Sequence, residues 1–314
     1  DLAGARQEHY PAPGENPVVE SGSLERDLER RDFTVNAMAL ELSLSGNGEP
    51  LLLDPHGGQD HLERRELAFL HASSVADDPT RVVRACRYAA RLAFVLAPEA
   101  QQQINQTLES WPWSWTHGDP PAAAPPALAT RLRMELELLF AREPWPEALL
   151  ALQSWGALLL LDPALQADPR LIRRLIQAQR LQLPLLPALV AGADDPLELA
   201  ARLQLPQQQQ RGLQQMQELS AWLEVNACED ASACWTAEEW CDALEQQSWG
   251  AEAVALLVSQ NPPQRRPLLR WWGRWRHCPS PLTAKDLLAQ GWQPGPDLGA
   301  ELQRLRRQSL RAMR

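Results

Sequence analysis

The chain has 314 residues, a formal net charge of −10 and 45% hydrophobic residues. This length predicts two or more domains, and the acidic balance argues against a general nucleic-acid-binding protein, which needs an excess of Lys and Arg. No apolar stretch reaches the roughly 18 residues of a membrane span, so no membrane partner is predicted. The five cysteines form no CxxC pair, which favours reduced thiols and a cytoplasmic protein over a disulfide framework or a zinc site.

The N-terminal part of the chain predicts short strands and helices. The first 20 residues are typical of the end of a strand that passes into a Pro/Gly loop. Ser23 then opens a short charged helix, because a serine hydroxyl caps a helix start well. Residues 51–53 and 66–71 predict two further short strands, the first of them buried.

Residues 77–92 predict a helix that carries a row of arginines. Asp78 is a suitable N-cap, and Pro79 is tolerated at the first helical position. At about 100° per residue the arginines share about one third of the helix circumference, opposite small apolar residues. With no acidic partner one turn away they repel one another, so the row is either a solvated face or a surface for a nucleotide or an RNA backbone. The row consists of Arg81, Arg84, Arg87 and Arg91.

From residue 97 onward the pattern is helical almost throughout, with proline-rich breaks. Residues 111–126 predict a Pro/Ala-rich loop or linker. Residues 264–314 carry 11 basic and three acidic residues, a net charge of +8, which can attract a polyanion to this end of the chain. Between residues 270 and 276 tryptophans alternate with arginines, either as an RNA contact or as half-buried helix surface.

Three motifs stand close together in the first 95 residues. They are ERRDFTVNAMA at 29–39, DPHGG at 54–58 and DPTRVVR at 78–84. In this order and spacing they resemble the class II tRNA nucleotidyltransferase/poly(A) polymerase family. The resemblance is strong for residues 1–95, fainter at 128–140, and returns at 282–302.

The resemblance implies an α+β protein, in which an incomplete mixed-sheet nucleotidyltransferase head is followed by all-α domains. It implies template-independent addition of C and/or A residues to tRNA 3′ ends, from CTP or ATP with release of pyrophosphate. CCA, CC or A addition and poly(A) synthesis share these motifs and stay open. The expected domains are the head (palm) at 1–72, the neck at 73–145, the body at 146–263 and the basic tail at 264–314.

The resemblance also assigns nucleotide-binding residues. Asp78 and Arg81 match the pair that reads the base: a carboxylate accepts from the exocyclic amine of C or A, and a guanidinium donates to ring acceptors. Three residues of the first motif match those that hold the sugar and phosphates, and two further arginines contact the triphosphate or support the site. The full set is Arg31, Asp32, Asn36, Asp78, Arg81, Arg84 and Arg87.

Members of the family carry an upstream Gly-Gly…Arg-Asp loop and an Asp-x-Asp pair that binds two Mg²⁺ ions. Neither motif occurs in this sequence, whereas Asp1 matches a third carboxylate, catalytic and metal-binding. We therefore expect an N-terminally truncated form. The alternatives are a front half supplied by a partner chain, a catalytically inactive tRNA-binding protein that keeps the nucleotide-binding helix, and a helical interaction module.

The expected RNA-binding residues are Arg270, Arg274, Arg276 and Lys285.

Overall fold

The structure is a computed structural model that describes residues 3–42, 50–226 and 235–313. The chain divides into two compact units. The first unit consists of Asp1–Ile172 and Gly192–Pro206, and the second of Arg173–Ala191 and Gln207–Arg314. Strands occur only before residue 97 in the described ranges, and helices dominate the rest, which confirms the predicted α+β class with helical domains after the head.

The strands of the first unit form two-stranded sheets. Strands β1 (Arg6–His9) and β2 (Val18–Ser21) are antiparallel, as are β3 (Ala39–Glu41) and β4 (Leu51–Leu53), whereas β5 (Glu66–Leu67) and β6 (Val95–Leu96) are parallel. The strand predicted at 51–53 is present, but the prediction of burial is wrong, because Leu51 and Leu52 are 57% and 44% exposed. The strand predicted at 66–71 is shorter than expected.

The helices of the first half are α1 (Leu24–Glu29), α2 (Gly58–Arg64), α3 (Ser74–Asp77), α4 (Thr80–Leu92), α5 (Pro98–Ser110), α6 (Thr130–Arg142), α7 (Trp145–Ser154) and α8 (Pro163–Ala167). Helix α1 starts as predicted, with the Ser23 hydroxyl accepting the Arg26 backbone N–H at 3.3 Å. Helix α4 begins at Thr80, two residues after Asp78. Pro79 occupies the N-cap position, and the Asp78 carboxylate just before it accepts the Thr80 N–H at 3.1 Å.

The later helices are α9 (Leu171–Arg180), α10 (Leu185–Val190), α11 (Pro196–Arg202), α12 (Gln207–Asn226), α13 (Ala237–Gln246), α14 (Ala251–Ser259), α15 (Arg265–Gly273), α16 (Ala284–Ala289) and α17 (Pro296–Arg311). In the second unit, α12 packs on α14, and α13 packs on α15 and α17. Within the described ranges every helix is too short or too polar to serve as a membrane span.

Helix α4 is the centre of the first unit. Its apolar side is buried, as the sequence predicts, and the helix packs against α6 and α7. Phe33 of the first motif is fully buried in a cluster with Leu67 and Ala85. Since Phe33 is anchored in this core, the charged residues on either side of it are held beside the arginine row of α4.

Residues 111–126 form a packed loop. Trp113 and Trp115 are almost fully buried, and their indole N–H groups donate to the carbonyls of Ala76 at 2.9 Å and Pro120 at 3.3 Å. Gly14 has a φ of +79°, and a Cβ there would lie 2.8 Å from Trp113 Cδ1. The tryptophans therefore fix this loop against α3 and the turn at Gly14, so it is not a linker.

The basic segment is not an open row of cations. Arg306 pairs with Glu245 at 2.6 Å, Arg307 pairs with Asp242 at 3.2 Å, and Arg311 pairs with Glu238. These carboxylates lie on α13, so much of the charge of α17 is neutralised inside the second unit. Trp271 and Trp275 are buried, which agrees with the interpretation of half-buried helix surface.

Candidate functional site

A cavity of about 720 Å³ lies in the first unit, between the hairpin of β1 and β2, the first motif, α4 and α6. Its volume is in the range of small-molecule binding sites. Six of the seven predicted nucleotide-binding residues line it: Arg31, Asp32, Asn36, Asp78, Arg81 and Arg84. These residues come from segments about 50 positions apart in the chain, and the fold brings them to one place.

Asp32 organises one side of the cavity. Its Oδ1 accepts the Asn36 amide N–H at 2.9 Å and the Phe33 backbone N–H at 2.9 Å. Its Oδ2 accepts Nε and Nη2 of Arg84 at 2.8 and 2.6 Å. Both carboxylate oxygens are occupied, so Asp32 acts here as the residue that orients Asn36 and Arg84.

Arg31 is held by a neighbouring carboxylate. Its Nη2 lies 3.0 Å from Asp27 Oδ2, and its Nη1 donates to the Asn36 carbonyl at 3.1 Å. Burial raises the pKa of Asp27, but hydrogen bonds from Arg30 and Arg31 outweigh this and lower the pKa to about 2. The side chain of Arg31 is 40% exposed, so its guanidinium still has donors free for an anion.

The pair predicted to read the base has partners inside the protein. Asp78 Oδ1 accepts the Thr80 hydroxyl at 2.6 Å, and its Oδ2 pairs with Arg131 of α6. The buried Arg81 guanidinium donates to the carbonyls of Ser74 and Arg30, each at 3.3 Å. Arg131 lines the cavity too, and the sequence interpretation missed it, although it lies in the segment at 128–140 that resembles the family.

Carboxylates from outside α4 pair with three of the four arginines of the row, Arg84, Arg87 and Arg91. Glu135 of α6 lies 3.2 Å from Arg84 and also pairs with Arg87, while Glu143 lies 3.2 Å from Arg87 and also pairs with Arg91. The anionic groups that lie across these arginines are therefore carboxylates of the protein itself. Their partners lie about 50 residues further along the chain, beyond the reach of any helical spacing rule.

The charge environment follows this arrangement. Burial lowers the pKa of Arg84, but the neighbouring charges of Asp32 and Glu135 outweigh it, and the net effect raises this pKa. The hydrogen bond from Arg91 lowers the pKa of Glu143, whose side chain is fully buried. Arg87 does not line the cavity. Arg87 shares Glu135 with Arg84 and shares Glu143 with Arg91, so it links these two arginines of the row.

Metal ligands are a separate question. Across residues 3–42, 50–226 and 235–313, no group of three or more His, Cys, Asp or Glu side chains could hold a metal ion. Asp1, predicted as a catalytic residue and magnesium ligand, lies outside the described residues. The described part of the cavity therefore does not offer a magnesium ligand set.

The four predicted RNA-binding residues lie in the second unit, and none of them lines the cavity. Arg270, Arg274 and Lys285 are exposed and make no ion pair within the described part of the chain. Arg276 instead donates to the Trp272 carbonyl at 2.6 Å and stacks on its ring, with 5.3 Å to the centroid. The first three are therefore the free cations of this group.

Comparisons with known proteins agree with this architecture. Residues 1–68 match the family described as Poly A polymerase head domain. The CC-adding tRNA nucleotidyltransferase of Deinococcus radiodurans is 42% identical over 311 residues, which is 97% of this chain and 67% of that protein. The A-adding tRNA nucleotidyltransferase of Aquifex aeolicus is 43% identical over 108 residues, which is 34% of this chain and 13% of that protein.

A solved structure shares the fold. The CCA-adding enzyme in its apo form II matches with a TM-score of 0.71 and 21% identity, over 99% of this chain and 73% of that one. The chain spans about two thirds of the length of the Deinococcus protein and smaller shares of several other relatives. Together, the motifs, the fold and the identity over almost the whole chain establish that it belongs to the class II tRNA nucleotidyltransferase/poly(A) polymerase family of nucleotidyltransferases.

Proposed function

We propose that this chain binds CTP and ATP in the cavity of the first unit and serves an enzyme that adds C and/or A residues to tRNA 3′ ends, releasing pyrophosphate. The observation that carries the proposal is the convergence of six predicted nucleotide-binding residues on one cavity of about 720 Å³. Two arginines, a buried carboxylate and a base-reading pair in one cavity are the groups that a nucleoside triphosphate needs. The names of the relatives support tRNA as the acceptor.

Base selection follows from the chemistry of Asp78 and Arg81. An ionised carboxylate only accepts hydrogen bonds, and a guanidinium only donates them. C and A place an exocyclic amine where U and G place a carbonyl, so U and G would bring an acceptor against the Asp78 carboxylate. This mismatch disfavours them without any template strand. For Asp78 to accept the amine, Arg131 must share or release one of its oxygens.

The phosphates of the nucleotide contact other residues than the base does. The side chains of Arg31 and Arg84 are 40% and 34% exposed, and both line the cavity. Arg84 is held in place by Asp32 and Glu135, so little conformational freedom is lost when it binds an anion. Arg31 and Arg84 thus bind the triphosphate, while Asn36, oriented by Asp32, bonds the sugar or a phosphate.

The RNA acceptor would meet the helical parts of the chain. Arg270, Arg274 and Lys285 are exposed cations without an ion pair in the residues that the structure describes, and they are the candidates for phosphate contacts. We keep the division into head (1–72), neck (73–145), body (146–263) and tail (264–314) as part of this proposal. It assigns nucleotide selection to the head and neck, and RNA contact to the neck, body and tail.

The test separates nucleotide binding from incorporation. Dissociation constants for CTP are measured for the wild type, for Arg84→Ala and for the control Arg91→Ala, which lies on the same helix but outside the cavity. We expect Arg84→Ala to weaken CTP binding by about tenfold or more, because a charge-assisted contact to a phosphate is lost. Arg91→Ala should change it little. Equal effects of the two variants would contradict the proposed site.

Incorporation is then measured with radiolabelled CTP and ATP, Mg²⁺, and tRNAs that lack the whole CCA end, lack only its final A, or are complete. The tRNA that accepts label identifies the reaction. Binding of tRNA without binding of CTP or ATP would refute the enzyme proposal and support the alternative of an inactive RNA-binding protein.

A further inference from the structure

The guanidinium of Arg81 has a side-chain neighbour that the proposed base selection does not use. His71, in the turn before α3, places its Nε2 3.5 Å from Arg81 Nη1, at the outer limit of hydrogen bonding. The other contacts of the guanidinium are the backbone carbonyls of Ser74 and Arg30 and the ring of Tyr10, 5.8 Å away. Whether His71 attracts or repels Arg81 depends on which imidazole nitrogen carries a proton.

The hydrogen bonds around His71 settle that question for the neutral ring. The Ser73 hydroxyl donates to Asp77 Oδ2 at 2.7 Å, because an ionised carboxylate cannot donate. With its only proton used, Ser73 Oγ must accept from His71 Nδ1, 3.0 Å away. The neutral imidazole therefore carries its proton on Nδ1, and Nε2 directs a lone pair at Arg81.

Charged groups on three elements face the imidazole: Arg81 of α4, Asp77 of α3 and Glu29 of α1. Burial and the Arg81 charge lower the pKa of His71, while Asp77 and Glu29 raise it, and the net effect places the pKa below its ordinary value of 6.5. The ring is neutral at pH 7. As the pH falls through the lowered pKa, the ring gains a second proton, loses its lone pair and places a cation against Arg81.

We propose that His71 is a positioning residue, which holds Arg81 in its base-reading position through the unprotonated Nε2, and that Ser73 and Asp77 keep its proton on Nδ1. This inference rests on the proposed role of Arg81 in base selection. The device makes nucleotide selection dependent on pH: the preference for C and A is complete while His71 is neutral and declines when it is protonated.

Two substitutions at His71 test the proposal. His71→Gln offers an oxygen acceptor near the position of Nε2 and does not titrate, whereas His71→Leu offers no acceptor. The side chain of His71 is 38% exposed, so neither change opens a hole in the core. The readout is the ratio of the dissociation constants of UTP and CTP, measured between pH 5 and pH 8.

At pH 7.5 we expect His71→Leu to reduce the preference for CTP by about five- to tenfold, the effect of one lost hydrogen bond to a charged group. His71→Gln should keep the preference at every pH, while the wild type should lose it as the pH falls below the lowered pKa of His71. The control is His9→Gln, since His9 lines the neighbouring cavity with His71 and its ring makes no hydrogen bond to another described residue. A wild-type pH profile in His71→Gln would overturn the proposal.

A structural readout keeps this test apart from the test of base selection. In ¹⁵N-histidine-labelled protein, two-bond ¹⁵N–¹H correlations show which nitrogen of His71 is protonated. Protonation on Nδ1 at pH 7.5 supports the inference, and protonation on Nε2 overturns it, whatever the nucleotide affinities are. If Arg81→Ala leaves the preference for CTP unchanged, the proposed role of Arg81 has failed instead.

Discussion

The arginines of α4 and those of α17 form similar pairs with carboxylates of a second helix, but in different surroundings. In α4, Arg84, Arg87 and Arg91 pair with Glu135 and Glu143, whose side chains are 13% and 0% exposed. In α17 the paired arginines are between 25% and 68% exposed, and their carboxylates are between 14% and 37% exposed. Because solvent and salt screen exposed pairs and reach buried ones poorly, the α4 row is part of a rigid site, and the α17 row is a weaker surface contact.

This difference explains why net charge alone was a poor guide to function. Residues 264–314 carry the largest basic excess of the sequence, yet Arg306, Arg307 and Arg311 use their charge within the second unit. The cavity lies in the acidic first part of the chain, and Arg31 and Arg84 are partly exposed there. For the binding of an anion, the donors that a guanidinium keeps exposed matter more than the basic excess of its segment.

The strongest test of this comparison removes one carboxylate partner from the arginines of α4 and one from the arginines of α17. Glu143→Gln leaves Arg87 and Arg91 short of a shared buried anion, so we expect it to lower the free energy of unfolding by about 3 kcal/mol. Glu238→Gln removes the partner of Arg311, whose side chain is 68% exposed, and should cost no more than about 1 kcal/mol. Urea denaturation of both variants measures the difference. Similar losses would show that burial does not distinguish the two rows.

The pH dependence of the first variant sharpens this prediction. The pKa of Glu143 is lowered in the folded protein. Its stabilising effect is therefore present above the ordinary glutamate pKa and is lost as the pH falls through the lowered value. The destabilisation by Glu143→Gln should shrink towards acid pH, and a constant difference from pH 7 to pH 3 would contradict the assignment.

A smaller effect is expected where a pair faces the cavity. Arg131 holds one oxygen of Asp78, so Arg131→Ala leaves this carboxylate free to rotate. We expect the preference for CTP over UTP to fall by about fivefold. The free energy of unfolding should also fall, because the Asp78 side chain is only 8% exposed and loses its charged partner. Arg142→Ala is the control, since Arg142 ends the same helix outside the cavity. An unchanged preference would mean that Asp78 is oriented by Thr80 alone.

The smallest effect concerns the exposed cations of the second unit. Replacing Arg270, Arg274 and Lys285 by alanine should reduce the slope of log K against log salt for tRNA binding by roughly one per residue. The matched triple variant of Arg306, Arg307 and Arg311 removes the same charge from paired residues and should alter this slope less. The two slopes are measured by tRNA titration at several salt concentrations. Equal slopes in the two triple variants would contradict the division into unpaired cations and paired arginines.

The sequence predicted the features that depend on local spacing. The helix start at Asp78, the common face of the arginines and the apolar side of α4 follow from a period of 3.6 residues and from capping chemistry. The sequence could not predict Glu135, Glu143 or Arg131 as partners, because these lie about 50 residues from the groups they contact. Their identity depends on how α6 packs against α4, which no periodicity encodes.

The same limit applies to burial. Leu51 and Leu52 belong to an apolar run typical of a buried strand, yet they are exposed, because a two-stranded sheet leaves most of its surface open. Conversely, the tryptophans at 111–126 are in a Pro-rich segment that favours a loop or linker, and two of them are buried. Composition indicated the type of element in both cases, and packing decided its exposure.

The central claim is that Asp78 and Arg81 select the base in the cavity of the first unit. The most direct test is to measure the dissociation constants of CTP, ATP, UTP and GTP for the wild type and for Arg81→Ala, together with the affinity for tRNA. We expect the wild type to prefer CTP and ATP, and the variant to lose most of this preference while it keeps its affinity for tRNA. An unchanged order of the four nucleotides in Arg81→Ala would contradict the account.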